Sequence, residues 1–151
     1  MFRKLSLEYF GGLLGEFGFE TQLNYGPLYY RQNEADIFHF VMPQIGRYGD
    51  YFDVMVFANS PRINEDFADR LRVGIDVPSD NNSYLSLESG VSWDYVKYKC
   101  KKEKDFIESS ETKVIPALQQ FGLPYLDGIQ TLTDLAKTVH PQVAKNYKLP
   151  D

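Results

Sequence analysis

Two side chains in this chain have the types and placement that acid–base chemistry needs. His39 and Asp53 fall on adjacent predicted strands, and an imidazole oriented by a carboxylate is the minimum arrangement for a general base. Such a pair becomes catalytic only with a nucleophile or substrate-polarising group, and no serine or cysteine stands in a recognisable nucleophile motif. A hydrogen-bonded sheet histidine and a surface aspartate explain the same residues with less. His140 precedes Pro141 at a predicted helix end, where a cation meets the negative pole of the helix dipole, so capping accounts for it.

Other chemistries find less support. Cys100 stands among lysines, which can depress a thiol pKa; with no partner placed beside it, a small buried hydrophobe is the simpler role. Two histidines about a hundred positions apart and scattered carboxylates do not make a transition-metal set. Asp76, Asp80, Asn81 and Asn82 lack the spaced oxygen ligands, central glycine and closing glutamate of a calcium loop. Gly11, Gly12 and Gly15 lie within a helical pattern rather than between a strand and a helix, so no phosphate cradle is expected. Neither a metal nor a cofactor is implied.

Recognition is better served. Tyr29, Arg31, Arg47, Tyr48 and Tyr51 belong to the residue types that dominate binding hot spots, because they bury large area at small entropic cost and still form hydrogen bonds. With His39 and Asp53 as polar members they form the candidate binding set. The alternative is cross-strand pairing that covers an open sheet face.

The elements that must position these residues follow from periodicity. Leu5, Tyr9, Phe10, Leu13, Leu14 and Phe17 recur at helical spacing and predict a helix over about 3–17, ended by Gly18 in the left-handed conformation with Phe19 beyond it. Its three glycines each cost about 1 kcal/mol relative to alanine, so burial must hold it, and they can admit a closely packed neighbour. Strands are expected at Phe19 to Leu23, Leu28 to Asn33, Ile37 to Met42 and Tyr51 to Ala58, with a break from Pro43 to Asp50. Short connections imply an antiparallel meander. Both faces of the third strand are apolar; a helix layer can cover one, which leaves the other as a candidate binding sheet.

Beyond Asn59 the pattern weakens. A short helix near 64–71, a strand at 72–77 and a polar loop at 78–83 are expected, while the Tyr84 to Cys100 stretch fits either short strands or a helical face around Trp93. A helix near Lys104 to Phe121 follows, with Pro116 as a kink unless the helix starts near Ser110, and Gly122 as its terminator. Thr131 and Asp134 have the spacing of a helix cap ahead of Leu132, Leu135, Ala136 and Val139, and Pro141 is the stop.

Length and charge bound the rest. At 151 residues, with no repeat or linker, residues 1–151 read as a single α+β domain: an antiparallel sheet of about four to six strands with an N-terminal helix and two C-terminal helices on one face. One cysteine excludes an internal disulfide framework, and a reducing cytoplasm is the natural compartment. Glu8 and Glu16 interrupt the leading segment, which reads as a folded helix rather than a leader, and no stretch is long and apolar enough for a membrane span. Lys97, Lys99, Lys101, Lys102 and Lys104 against Glu103 make one segment +4 in a chain of formal charge −5, leaving −9 elsewhere. That balance disfavours nucleic acid and favours a basic protein partner.

The leading FRKLSLEYFGGLLGEFGFE, the LYYRQ strand, the IFHFVMPQIGRYGDYFDVMVFA pair, the Trp93 region and VIPALQQFGLPYLDGIQTLTDL together resemble the bacterial DUF4304 family, over nearly the whole chain. That family is defined by unknown function, so the resemblance implies an α+β arrangement and supplies no catalytic residues. The expectation is a small bacterial binding protein, a toxin-neutralising immunity protein or other protein-interaction protein acting through an acidic, tyrosine-rich surface. The alternative is a small-ligand domain or enzyme with a pocket between sheet and helices, using His39 and Asp53.

Overall fold

The computed structural model describes residues 1–23, 27–62, 83–86, 97–138 and 145. Strands β1 (Glu20–Gln22), β2 (Leu28–Gln32), β3 (Phe38–Ile45) and β4 (Tyr51–Asn59) form the expected antiparallel meander. The outer edge of β4 is shared: β5 (Ser83–Ser86) pairs with Met55 to Ala58, and β6 (Tyr98–Lys99) pairs with Tyr51 and Phe52. The fold is α+β. The expected helix near 64–71, the strand at 72–77, the calcium-like loop, Trp93, His140 and Pro141 lie outside the described residues.

The leading helix runs through Phe2–Ser6, a π-helical Leu7–Gly11 and Gly12–Glu16. Its buried apolar residues are Leu5, Phe10 and Leu14, a spacing of five and then four, and the wider π turn is what keeps Leu5 and Phe10 on one face. Phe17, at the end of the expected stripe, is substantially exposed. The helix stops as its residues foretell: Gly18 has φ +84°, its N–H donates to Gly15 O, and Phe19 N–H donates to Leu14 O, a Schellman closure with buried Phe19 as the apolar contact. The glycines do not admit a close neighbour. A Cβ at Gly11 would meet Tyr29 only at 3.9 Å, and at Gly12 or Gly15 nothing within 4 Å.

Strand β3 continues through Pro43, where a break was expected. Pairing with β2 ends at Tyr29 opposite Val41, while pairing with β4 continues through Pro43 opposite Val54 to Ile45 opposite Phe52. Proline is tolerated here because among the described residues β3 has no partner on its β2 side beyond Val41, so the missing N–H breaks no ladder there. Past Val41 the β3–β4 pairing is continued, and at Tyr51 and Phe52 it is joined by β6 in place of β5.

The long C-terminal helix is also more continuous than expected. It runs through Glu103–Ser109, π-helical Ser110–Val114, Ile115–Ala117, π-helical Leu118–Gly122 and Leu123–Asp127. Gly122 is helical and does not end it. Each helical proline, Pro116 and Pro124, is the second residue after a π-helical turn, whose widened ladder accommodates the ring that would clash with a preceding carbonyl in a regular helix. A short helix follows at Leu132–Thr138. Its start is a reciprocal cap: Asp134 N–H donates to Thr131 Oγ1, and Thr131 N–H donates to Asp134 Oδ2.

All of these helices pack on one sheet face. Leu5, Phe10 and Leu14 of the leading helix and Phe106, Val114, Leu118 and Leu126 of the long helix enclose Tyr29, Val41, Phe52, Val54 and Val56; Ile129 and Leu135 meet Ile37 and Ala58 beside them. Phe52 and Phe106 stack at 5.0 Å between centroids, with Phe2 edge-on to both. The opposite face carries Leu28, Phe38, Phe40, Met42, Met55 and Phe57, all buried, so the aromatic middle of the sheet is core on both sides and not an open binding sheet. Among the described residues no helix is long and apolar enough to cross a membrane.

Gly12 has helical φ and ψ and open space at its Cβ. Gly12→Ala is expected to raise unfolding free energy by about 0.5–1 kcal/mol through the lost backbone freedom of the unfolded chain, measured as a higher urea midpoint at unchanged m-value.

Candidate functional site

The seven candidate residues separate into two groups that do not meet. Tyr29, Arg31 and His39 face the helices, while Arg47, Tyr48, Tyr51 and Asp53 gather at the end of the β3–β4 hairpin.

The first group is a structural lock. Tyr29 is buried and its hydroxyl donates to Ser6 O at 3.0 Å; burial pushes its phenol far above the ordinary range. Arg31 lies opposite His39 in the β2–β3 register, and its Nε donates to His39 Nδ1 at 3.0 Å. The other arms of the guanidinium donate to Phe17 O at 2.8 Å and to Asp127 Oδ1 at 2.7 Å, and its Cζ lies 4.6 Å from the centroid of the Phe19 ring. His39, only 3% exposed, donates from Nε2 to Ile129 O at 2.6 Å. With Nδ1 accepting and Nε2 donating, the imidazole is neutral and both nitrogens are engaged.

That arrangement removes His39 as a general base for Asp53. His39 is opposite Ala58 and Asp53 is opposite Gln44, five positions apart along β4 and therefore on opposite faces, about 17 Å away along the strand. Asn33, expected only as the end of the second strand, completes the lock: its Oδ1 accepts from Ala35 and Ile37 N–H, and its Nδ2 donates to Gln130 O at 2.8 Å.

The second group surrounds a concave site. Gly46 N–H donates to Tyr51 O and Gly49 N–H to Gly46 O, while Gly49 takes φ +74°, closing the hairpin loop on itself. Cys100 fastens the loop from outside: its N–H donates to Asp50 O at 2.9 Å, and its thiol lies 3.5 Å from Gly49 O. Burial, then Asp50 and Asp105, push that thiol up, so the flanking lysines do not make it a thiolate and its role is to anchor.

A cavity of about 360 Å³ opens here, lined by Arg47, Tyr48, Tyr51, Phe52, Asp53 and Lys97 among others. Its depth is graded. Arg47, Lys97 and the tyrosines are exposed, with Tyr48 at 82% and Tyr51 at 45%, whereas Asp50 and Asp53 are half-buried and Phe52 is buried. The β4–β6 register, Tyr51 opposite Lys99 and Phe52 opposite Tyr98, carried one position further places Lys97 opposite Asp53. Asp53 has a solvent-shielded Oδ1 with no hydrogen-bond partner. Its carboxyl is pushed up by burial, with Lys97 acting in the opposite direction. Tyr51 also borders a polar hollow of about 300 Å³ lined by Lys97, Lys99, Lys113, Asp105 and Glu108. The exposed tyrosines therefore sit in mixed charge rather than in the acidic field expected.

Lys97 reaches the cavity only through the β4–β6 pairing, which local sequence does not show, whereas Asp50 is there as a neighbour of Tyr48 and Tyr51 in the hairpin loop. Among the described residues no group of three or more acidic, histidine or cysteine side chains is placed to hold a metal ion. The chain matches no protein-family model, no curated protein and no solved structure.

The lock is expected to respond to acid. Burial is the main cause that lowers the His39 pKa from 6.5, with Arg31 adding to it and the Ile129 carbonyl and Asp127 opposing. Below 6.5 the unfolded chain then binds the proton more readily than the folded one, so the contribution is full above about pH 6.5 and is lost as pH falls towards the depressed folded value. His39→Leu should destabilise the fold by roughly 2–4 kcal/mol, leaving Arg31 Nε and Ile129 O unpaired. It should also flatten the pH dependence of urea stability in that window.

Proposed function

We propose that this protein is a binding protein that recognises another protein through the end of the β3–β4 hairpin, in a toxin-neutralising or similar inhibitory setting. The observation that carries the reading is the hairpin end, where Ile45, Tyr48 and Tyr51 stand exposed and the two tyrosines border a cavity that also holds Asp53, whose Oδ1 has no hydrogen-bond partner. Large amphipathic side chains beside a pocket are what a hot spot requires. The loop is held by Cys100 and by its own hydrogen bonds, so little conformational entropy is lost on association. A formal charge of −5 favours approach by a basic partner. The DUF4304 resemblance names no activity and adds none.

A small-ligand domain is the second reading, favoured by a cavity volume of about 360 Å³, within the range of small-molecule sites. Its seat is the hairpin end and not the layer between sheet and helices, where His39 is already bonded at both nitrogens.

The two readings separate with paired baits. Wild-type protein and a Tyr48→Ala/Tyr51→Ala variant, both exposed and so expected to fold alike, are used to capture partners from host lysate with quantitative mass spectrometry. The protein-binding reading expects at least one polypeptide retained by the wild type and reduced at least tenfold by the variant. Equal retention by both baits would overturn it.

A further inference from the structure

We propose that the hairpin cavity is an acceptor for a cationic side chain, an arginine or lysine presented by a protein partner, with Asp53 as the group that receives it. This rests on the hairpin-binding reading and specifies the partner's chemistry.

The first observation is the state of Asp53. Its Oδ1 is shielded from solvent and accepts no hydrogen bond, although a carboxylate has several lone-pair sites to satisfy. Lys97 stands across from it, yet no ion pair within 4 Å joins them; among the described residues the pairs at that distance are Arg31 with Asp127 and Arg62 with Asp36. The rest of this half-buried side chain lines the cavity, so an incoming guanidinium or ammonium would meet the carboxyl there and offset, by a charge-assisted contact, the cost of its poorly solvated Oδ1.

The second observation is the depth order of the charges. The cations of the cavity, Arg47 and Lys97, are exposed at its rim, while the carboxylates of Asp50 and Asp53 are half-buried. Arg47 is turned towards the Tyr48 ring, with Cζ 5.6 Å from its centroid, an arrangement that keeps it over the rim. A ligand that matches this gradient has an apolar stem and a positive tip, with tyrosine rings beside it that favour cations. Arginine and lysine side chains have that form, and a chain with net charge −5 favours the approach of proteins that carry them. An anionic ligand would meet the reverse order, attraction at the rim and repulsion at the floor.

The test uses the full chain, ¹⁵N-labelled, titrated with blocked Gly-Gly-Arg-Gly-Gly and its lysine, citrulline and glutamate counterparts, and with free arginine. A lone anchor side chain is expected to bind with a Kd of about 1 mM. The inference expects the arginine and lysine peptides to shift the amides of Gly46, Gly49, Asp53 and Lys97, with the citrulline peptide at least tenfold weaker. Asp53→Asn should weaken the arginine peptide at least tenfold and raise the thermal midpoint, which separates a recognition role from a structural one. Lys97→Gln should tighten the arginine peptide by removing a competing cation.

Equal binding of the citrulline peptide, preference for the glutamate peptide with loss on Lys97→Gln, binding of free arginine but not the blocked peptide, or no binding at all would each overturn the inference. Loss of a captured protein on Tyr48→Ala/Tyr51→Ala without peptide binding would leave the hairpin reading standing and remove only the cationic anchor. Peptide binding without any captured protein would support the cavity's chemistry and count against the wider reading.

Discussion

The architecture turns on one guanidinium. Arg31 reaches from β2 to three elements at once: the end of the leading helix at Phe17 O, the neighbouring strand at His39, and the end of the long helix at Asp127. Its ion pair with Asp127 is not the main source of its value, since that carboxylate is 62% exposed and exposed pairs are weak. The hydrogen bonds to Phe17 O and His39 matter more. A carbonyl at a helix C-terminus is an orphan acceptor at the negative pole of the dipole, and a shielded imidazole nitrogen without a donor would carry a full desolvation cost. His39 passes the connection to Ile129 O, and Asn33 repeats it at Gln130 O. One end of the sheet is thereby bonded to the turn after the long helix.

The opposite end of the sheet is built differently. There β3 and β4 stay paired past the last β2 pairing, and the outer edge of β4 changes partner from β5 to β6 around Asp53 and Val54. The cavity beside Asp53 lies where that change of partner happens. Arg31, His39 and Asn33 thus spend their polar groups on internal partners, whereas Asp53 at the hairpin end keeps a carboxylate oxygen with nothing to accept from.

Much of this was legible locally. The Schellman closure at Gly18 and Phe19, the reciprocal cap of Thr131 and Asp134 and the strand alternation all depend on neighbours a few positions apart, and all appear. Pro43, Gly122 and Pro116 misled because local rules treat them as breaks, while their cost depends on a distant fact: where β2 stops, or whether the helix can widen into a π turn. The same limit governed the site. Arg31, His39 and Tyr29 have the residue types of a binding surface, but their partners lie 96, 90 and 23 positions away, and periodicity carries no information at that range. Arg47, Tyr48, Tyr51 and Asp53 came together because a hairpin tip keeps sequence neighbours close in space.

The aromatic richness of the 29–58 stretch then divides by side-chain chemistry. Phe38, Phe40, Phe52 and Phe57 are buried, stacked with one another or with Phe106, and each fully buried ring contributes about 1.5–3 kcal/mol. Tyr29 is buried only because Ser6 O accepts from its hydroxyl, while Tyr48 and Tyr51 stay at the surface. Phenylalanine has no polar atom to satisfy and can pack on either face of the sheet. Tyrosine without an internal acceptor keeps its hydroxyl in water or in a partner. The exposed tyrosines lie at the hairpin end, beside Asp53, so the polar requirement that excludes them from the core also concentrates them where an unsatisfied acceptor and a cavity already stand.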